Sequence, residues 1–434
     1  MSGAAGETTW ALRAGRAAPA LLVVWLLAVP LSTAAAEILL AAAVVAALLA
    51  RAAGPRPEIW PHGWRSPVTG GPLTGAAPWL WAAFIVWFVV SALAAVSTEV
   101  SIGKLPKLFR YALFFVPLAV PWRSRHWRAA LWVQLPLLVA LAWPALASMF
   151  EGWGRAHTDN LHYNSLAQVA ATSSLLLLAG ALYGPASARR ERLLLLAACV
   201  MATALMIVTF SRAAWLAWWL AAVVLVLFRL PRRLALAAVA VMILVPLISL
   251  PAVIQRRPDT FDLQHPEFAR RYDMWRMAVD IVRDHPWTGV GPGGIDAVYH
   301  EYKTGMLVDD PAMWSHVHND LLEVALSHGL PAALIWAALA VVLYGAMARG
   351  LVRSRAIPGS WIKAGFLGAG ASLHLFYLFG LVHDNYPIYV KSCLLLLLWG
   401  VFTAADRSLW PPAAPPAERR RRDLEATARN EAPG

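Results

Sequence analysis

The 434-residue sequence predicts an all-α, polytopic integral membrane protein with one large helical loop outside the bilayer. Three observations predict it. Hydrophobic residues make up 59% of the chain and charged residues only 14%, where an ordinary soluble domain carries roughly a quarter charged residues. Apolar runs of about 18 or more residues recur along nearly the whole length, and about 20 residues of helix cross a hydrocarbon core of roughly 30 Å. The runs are also continuous, whereas an outer-membrane barrel alternates in segments of about ten residues. A soluble globular enzyme is thereby excluded. The formal charge of +12 does not point to nucleic acid, because the bases are scattered between apolar runs and form a block only at Arg419 to Arg422. Cys199 and Cys393 both lie inside apolar runs, so neither a disulfide framework nor a thiolate metal site is expected.

Twelve spans are expected, near residues 18–35, 38–52, 78–97, 110–121, 129–150, 167–187, 193–210, 213–228, 234–254, 329–348, 364–383 and 387–405. The fourth is short and holds Pro117 and Pro121, so it either begins earlier, near Pro106, or is a broken or tilted segment. With the N-terminus inside, most of the 37 Lys and Arg residues fall on the cytoplasmic side, and the largest outside group sits in one long loop, where the positive-inside rule is weak. Arg13 and Arg16, an apolar stretch and Ala34-Ala35-Ala36 also look like a secretory signal, but retention as a start helix is expected.

The expected organisation is nine spans in 1–254, a large periplasmic loop at 255–320, three spans in 321–405 and a disordered basic cytoplasmic tail at 406–434. Trp60, Trp64, Trp122, Trp127, Trp153, Trp287, Trp314 and Trp410 lie near segment ends, where indole suits the headgroup layer. There is no internal repeat to support an inverted-repeat transporter.

Function points outward on this topology. The cytoplasmic loops are short and almost purely arginine, while four polar elements share the outside: Glu99 to Arg110, Glu151 to Ser165, Ser211-Arg212 and the long loop. His383-Asp384-Asn385 joins them. An energy source there must arrive attached to a substrate, and lipid-linked pyrophosphates are one such kind. Arg212 either snorkels at the bilayer boundary or fixes a cation there, where guanidinium binds phosphate in bidentate fashion.

In the loop, Pro266 to His285 reads as a helix with an apolar stripe of Phe268, Trp275, Ala278, Val279 and Val282. Arg271 falls within that stripe, with Arg270 on its flank; Arg271 is either structural, stacked or paired, or binds an anion beside Arg212. Gly289-Val290-Gly291-Pro292-Gly293-Gly294 matches a dinucleotide fingerprint in letters only. No strand feeds it, so it is expected to be a turn.

His316 and His318 stand two apart, a poor spacing for metal ligands on one helix face. A neutral imidazole suits removal of a proton from a sugar hydroxyl, with Asn319 to orient His318 or the substrate; a structural pair at the membrane edge is the alternative. Asp384 orients an imidazole, pairs an arginine or caps the next helix. Lys104, Lys107 and Arg110 break the positive-inside pattern in a short outside loop and are candidates for binding acceptor or donor phosphates.

Taken in order, these motifs resemble the O-antigen ligase and polymerase superfamily of bacterial inner-membrane glycosyltransferases. Its pattern is a Ser-Arg near a span start, Arg-x-x-x-Trp and Pro-x-x-Gly-x-Gly in a large periplasmic loop, and His-Asn followed by nine residues and Gly. Here these are Ser211-Arg212, Arg271 to Trp275, Pro286 to Gly291 and His318-Asn319 to Gly329. The ligase pattern usually ends on Gly, Thr or Tyr three residues after that Gly, and this chain has Ala332. The detailed resemblance covers roughly residues 205–340.

It implies a GT-C-like membrane glycosyltransferase of the inner membrane with its active site facing the periplasm. Such an enzyme moves a polysaccharide from undecaprenyl pyrophosphate to the lipid A core, by inversion and without a metal or other cofactor. Arg212 and Arg271 would hold the pyrophosphate and His318 would be the base, with Arg270, His316, Asn319 and Asp384 around them. An O-antigen polymerase is the nearest alternative. A twelve-span transporter is more distant, because the spans are nearly free of charge at their centres.

Overall fold

The computed structural model describes residues 3–53, 74–120, 122–150, 156–256, 266–302 and 316–410. These residues form helices α1 (Gly3–Ala28), α2 (Thr33–Ala53), α3 (Ala77–Leu93), α4 (Thr98–Ile102), a 3₁₀ helix Leu105–Tyr111, α5 (Ala112–Ala119), α6 (Ser124–Trp132), α7 (Gln134–Phe150) and α8 (Tyr163–Tyr183). There follow α9 (Arg189–Val208), α10 (Arg212–Arg229), α11 (Arg232–Arg256), α12 (Pro266–Asp284), α13 (Ile295–Tyr302), α14 (Asp320–Ser354), α15 (Trp361–Gly380) and α16 (Tyr389–Leu409). No strand occurs among the described residues; Thr158 and Leu161 form one isolated bridge.

Among the described residues, eight helical segments are long and apolar enough to cross a membrane: Thr33–Ala50, Ser124–Phe150, Tyr163–Tyr183, Arg189–Val208, Arg212–Arg229, Asp320–Ser354, Trp361–Gly380 and Tyr389–Leu409. The chain is a polytopic helical protein. The expected fourth span is a 3₁₀ stretch running into the eight-residue α5. Eight helical residues rise about 12 Å, well short of the hydrocarbon layer. The tail at 411–434 and the loop portions 257–265 and 303–315 lie outside the described residues, as do Trp60, Trp64, Trp153 and Trp314.

The centre of the bundle is α8, α15 and α16, each buried on nearly every side, with α9 and α10 packed around them. The outer helices turn leucines and valines such as Leu193, Val200 and Leu216 outward, as a lipid-facing surface requires. Small residues let the inner helices approach: a Cβ at Gly365 would strike the Trp127 ring at 2.1 Å, and one at Gly350 would meet Phe366 at 2.4 Å. Trp122 and Trp127 are therefore core residues, 7% and 4% exposed, rather than interfacial ones. Polar side chains of α8 bond to neighbouring helices: Ser173 Oγ donates to Gln134 Oε1 at 2.7 Å, and Trp218 Nε1 donates to Ser174 Oγ at 2.9 Å.

One end of the bundle gathers the arginine-rich turns. Arg128 makes two bonds to Glu191, at 2.8 and 2.7 Å, Arg229 Nε donates to Leu182 O, and Ser360 N donates to Tyr183 O. At the other end, α12, α13, the 289–294 turn and the first turns of α14 share a small core of Met274, Met277, Ala278, Ile281, Val290, Val317 and Leu326. The buried face of α12 is thus its Met-Met-Ala-Ile stripe. The face expected from Trp275, Ala278, Val279 and Val282 is rotated from it, and Val279 is 36% exposed; the side chain of Phe268 lies outside the described set.

The glycine-rich run is a turn, as the sequence implies. It approaches the chain's own backbone: Val290 N donates to Leu326 O, Gly291 N to Ser327 O and Leu330 N to Pro286 O. Gly329 carries the matching kink in α14, with φ 80, and a Cβ there would lie 1.9 Å from Trp287 O.

Candidate active site

The segment before α14 is pinned on both sides of His318. Val317 is fully buried; its N–H donates to Glu323 Oε2 at 3.1 Å and its carbonyl accepts from Trp275 Nε1 at 3.0 Å. Asn319 caps α14 by accepting from Leu322 N at 3.0 Å, while its amide donates to Leu381 O at 3.0 Å. Both ends of the Asn319 side chain therefore fasten this segment. Between these anchors His318 adopts φ 54, in the left-handed region. Such a conformation costs about 1–3 kcal/mol and persists only where its surroundings over-determine it. Its ring meets Asp384, with Nδ1 2.6 Å from Oδ2.

Asp384 is aimed by the loop between α15 and α16. The Asp320 carboxylate accepts from Asn385 N and Asn385 Nδ2, both at 2.7 Å, and from Tyr386 N at 3.0 Å. Gln168 Nε2 of α8 donates to Asn385 Oδ1 at 2.7 Å, and Lys391 Nζ donates to Asp384 O at 2.8 Å. The capping alternative for Asp384 is not realised, since the N-cap of α16 is Ile388.

The loop's electrostatics follow from its packing. Burial works to raise the Asp384 carboxyl, but the hydrogen bond and charge of His318, with His316 and Lys391 beyond, outweigh it and hold the group below the usual carboxylate range. Burial, then the charges of Arg271 and Lys391, push His383 well below the ordinary imidazole value. Burial also lowers His316. The His383 ring stacks on Phe379 and lies 6.1 Å from that of His318.

Two cavities are lined by chain neighbours of this pair, though by neither His318 nor Asp384 itself. The first, about 290 Å³, is lined by Tyr163, Asn164, Ser211, Arg212, Arg271 and His383 among others. Arg212 is the first residue of α10 and follows Ser211, whose Oγ donates to Asn164 Oδ1 at 2.9 Å. The helix N-terminus adds partial positive charge to that of the guanidinium. Phe210, just before, has φ 53; it and His318 are the non-glycine residues with positive φ among the described residues. Arg271 reaches the same cavity from α12, and its Nη1 donates to Val382 O. Arg270 is not in this lining; its Nε is buried.

The second cavity, about 220 Å³, holds Lys104, Lys107 and Arg110 together with His316, Glu323 and Tyr386. Of the expected substrate-binding residues, Lys104, Lys107, Arg110 and His316 thus share this cavity, while Arg270, Asn319 and Asp384 line neither. The sequence points to Arg212, Arg271, His316, His318 and Asp384 but not to Asn164 or Lys391, and it offers Asp320 and Glu323 only as acids neighbouring the two histidines. The signal for Asn164 was a polar Asn164–Gln168 pair, four residues apart in an otherwise apolar span. Asp320 and Glu323 read as ordinary acids of a helix first turn, and no local pattern distinguishes them.

No curated protein matches the chain. Residues 197–337 match the family model described as O-Antigen ligase. The match runs from α9 into α14 and contains Arg212, Arg271 and His318, while Asp384 and Lys104 to Arg110 lie outside it. Over residues 197–337 the chain is therefore similar to the O-antigen ligase family, the family its motifs resemble.

Proposed function

We propose that the protein is an O-antigen ligase, moving a polysaccharide from undecaprenyl pyrophosphate to the core oligosaccharide of lipid A at the periplasmic face of the inner membrane. One observation carries this reading: separate segments bring Arg212 and Arg271 into a cavity also lined by His383, whose ring lies 6.1 Å from that of His318, the partner of Asp384. An ionised Asp384 with Oδ2 2.6 Å from Nδ1 of His318 favours the tautomer that carries its proton on Nδ1 and leaves the lone pair on Nε2.

His318 then takes the proton of an acceptor hydroxyl as that oxygen bonds to the anomeric carbon. The bond from that carbon to the pyrophosphate oxygen breaks, and its electron pair leaves with undecaprenyl pyrophosphate. Arg212 and Arg271 stabilise the charge growing on the departing phosphate. Attack opposite the leaving group inverts the anomeric centre, and the step calls on no metal.

The test is a lipopolysaccharide gel, run beside a polyprenyl-linked glycan extract, from a strain lacking the gene and from that strain carrying His318→Ala. Both are expected to give core without O-antigen and long chains held on the carrier. Core capped by a single repeat unit would indicate a polymerase, and a normal ladder would refute glycosyl transfer.

A further inference from the structure

The second cavity has a composition that the transfer step does not account for. Its cations stand three residues apart, at 104, 107 and 110, on and just before the 3₁₀ helix Leu105–Tyr111. A 3₁₀ helix has three residues per turn, so side chains at that spacing eclipse one another and form a row on one face. Among the described residues, no carboxylate is in ion-pair contact with any of the three. Burial, then the charges of Lys104 and Arg110, lower the Lys107 ammonium. A row of like charges held in a cavity wall is costly unless an anion joins it.

Two of the three cations are held in place. Arg110 lies 4.4 Å from the Tyr389 ring centroid and donates to Ser392 Oγ at 3.4 Å. Gly293 makes room for Lys104, since a Cβ there would come 2.7 Å from its Cε. The same cavity is lined by the apolar and aromatic Trp81, Phe88, Trp336 and Leu396, and by Asp296 and Glu323, neither of them in ion-pair contact with the cations. That combination suits an amphiphile with a phosphate near a sugar ring.

We propose that this cavity binds a phosphate ester carried by the acceptor glycolipid. The inference rests on the transfer reading above, which assigns the donor pyrophosphate to the Arg212 and Arg271 cavity. The residue two before His318, His316, lines the Lys104 cavity, and the residue before Asp384, His383, lines the other. Chain neighbours of the His318–Asp384 pair thus line both cavities, so a substrate held in each would approach that pair. A displacement needs that arrangement, because nucleophile and leaving group lie on opposite sides of the reacting carbon.

The test uses the full-length protein in nanodiscs, as wild type and as Lys104→Gln/Lys107→Gln, with two acceptors: lipid A core glycolipid with its phosphates intact, and the same glycolipid stripped by hydrofluoric acid. The double variant is expected to raise the acceptor KM about tenfold or more with the intact glycolipid, the scale expected of two cations lost from an anion site. Stripping the acceptor should cost the wild type a similar factor, and the two changes together little more than either alone. Equal losses on both acceptors, or a raised donor KM, would overturn the proposal.

A phospholipid headgroup in the cavity would instead make wild-type activity depend on phosphatidylglycerol in the nanodisc, without discrimination between acceptors; that result also overturns it. Binding of the intact glycolipid is measured separately by native mass spectrometry. Binding lost in the double variant, in a protein that transfers nothing, would sink the ligase reading and leave this site standing.

Discussion

The aspartate behind the imidazole gives the sharpest test of the chemistry. Asp384→Asn keeps the shape of a side chain only 3% exposed but removes its charge. An amide can also donate to Nδ1, which would put the ring proton on Nε2 and abolish the base. Two contributions set the magnitude. A hydrogen bond to a charged group is worth about 1.5–3 kcal/mol, which at 1.36 kcal/mol per decade is roughly a 10- to 150-fold effect on rate. The His318 ring is 35% exposed, which places the electrostatic part toward the lower end. Losing the correct tautomer removes general-base catalysis, worth about 10²–10⁴-fold.

The expected outcome is therefore a fall in kcat of at least about 10²-fold, with donor and acceptor KM changed far less. The assay is transfer from purified polyprenyl-pyrophosphate-linked glycan to lipid A core, using variant and wild type matched for expression and thermal stability. A variant retaining kcat within about threefold of wild type would show that Asp384 neither orients nor stabilises the imidazole, and the base assignment for His318 would lose its support.

Two further outcomes concern the frame around the site. Gly329→Ala meets both a φ of 80 and the Trp287 carbonyl at 1.9 Å, so it should destabilise the protein by about 3 kcal/mol or more and lower activity with it; an unchanged Tm would contradict the clasp between α14 and the 286–291 turn. The pH dependence of stability follows from His316 and His383, whose folded values are lowered from 6.5. Below that pH the unfolded chain binds protons that these two rings refuse in the fold, so their contribution to stability falls as pH drops through about 6.5. The Tm of His316→Gln/His383→Gln should rise relative to wild type as pH drops from about 7.5 to about 5.5, and a constant difference would contradict the burial of these two rings.

Much of the site was legible because its chemistry sits in residues that are anomalous where they stand. Arg212 interrupts apolar sequence with almost no loop around it, and His318 follows a turn and precedes a helix. Such residues announce themselves by cost. Their partners do not. Asp384 reaches His318 from beyond two intervening helices, α14 and α15, and only tertiary packing distinguishes orienting an imidazole from capping α16. The face of α12 was misjudged for a different reason. Met274 and Met277 complete the buried stripe with Ala278 and Ile281, one residue round the helix from the stripe of Trp275, Val279 and Val282 that helical spacing offers equally well.

The same contrast explains why Asp320 and Glu323 escaped notice. Carboxylates in a first turn are favoured by the helix dipole alone, so sequence gives no reason to ask more of them. In the fold each holds a segment that carries a reactive group. Glu323 receives the Val317 N–H and so fixes the strained backbone of His318; Asp320 receives three N–H bonds from Asn385 and Tyr386 and so fixes the backbone of Asp384. The first turn of α14 thereby clamps both halves of the His318–Asp384 pair, and the 2.6 Å contact follows from that clamp rather than from affinity between the two side chains alone. Positioning by one rigid element is what a base needs if it is to meet a hydroxyl and a leaving group delivered from two separate cavities.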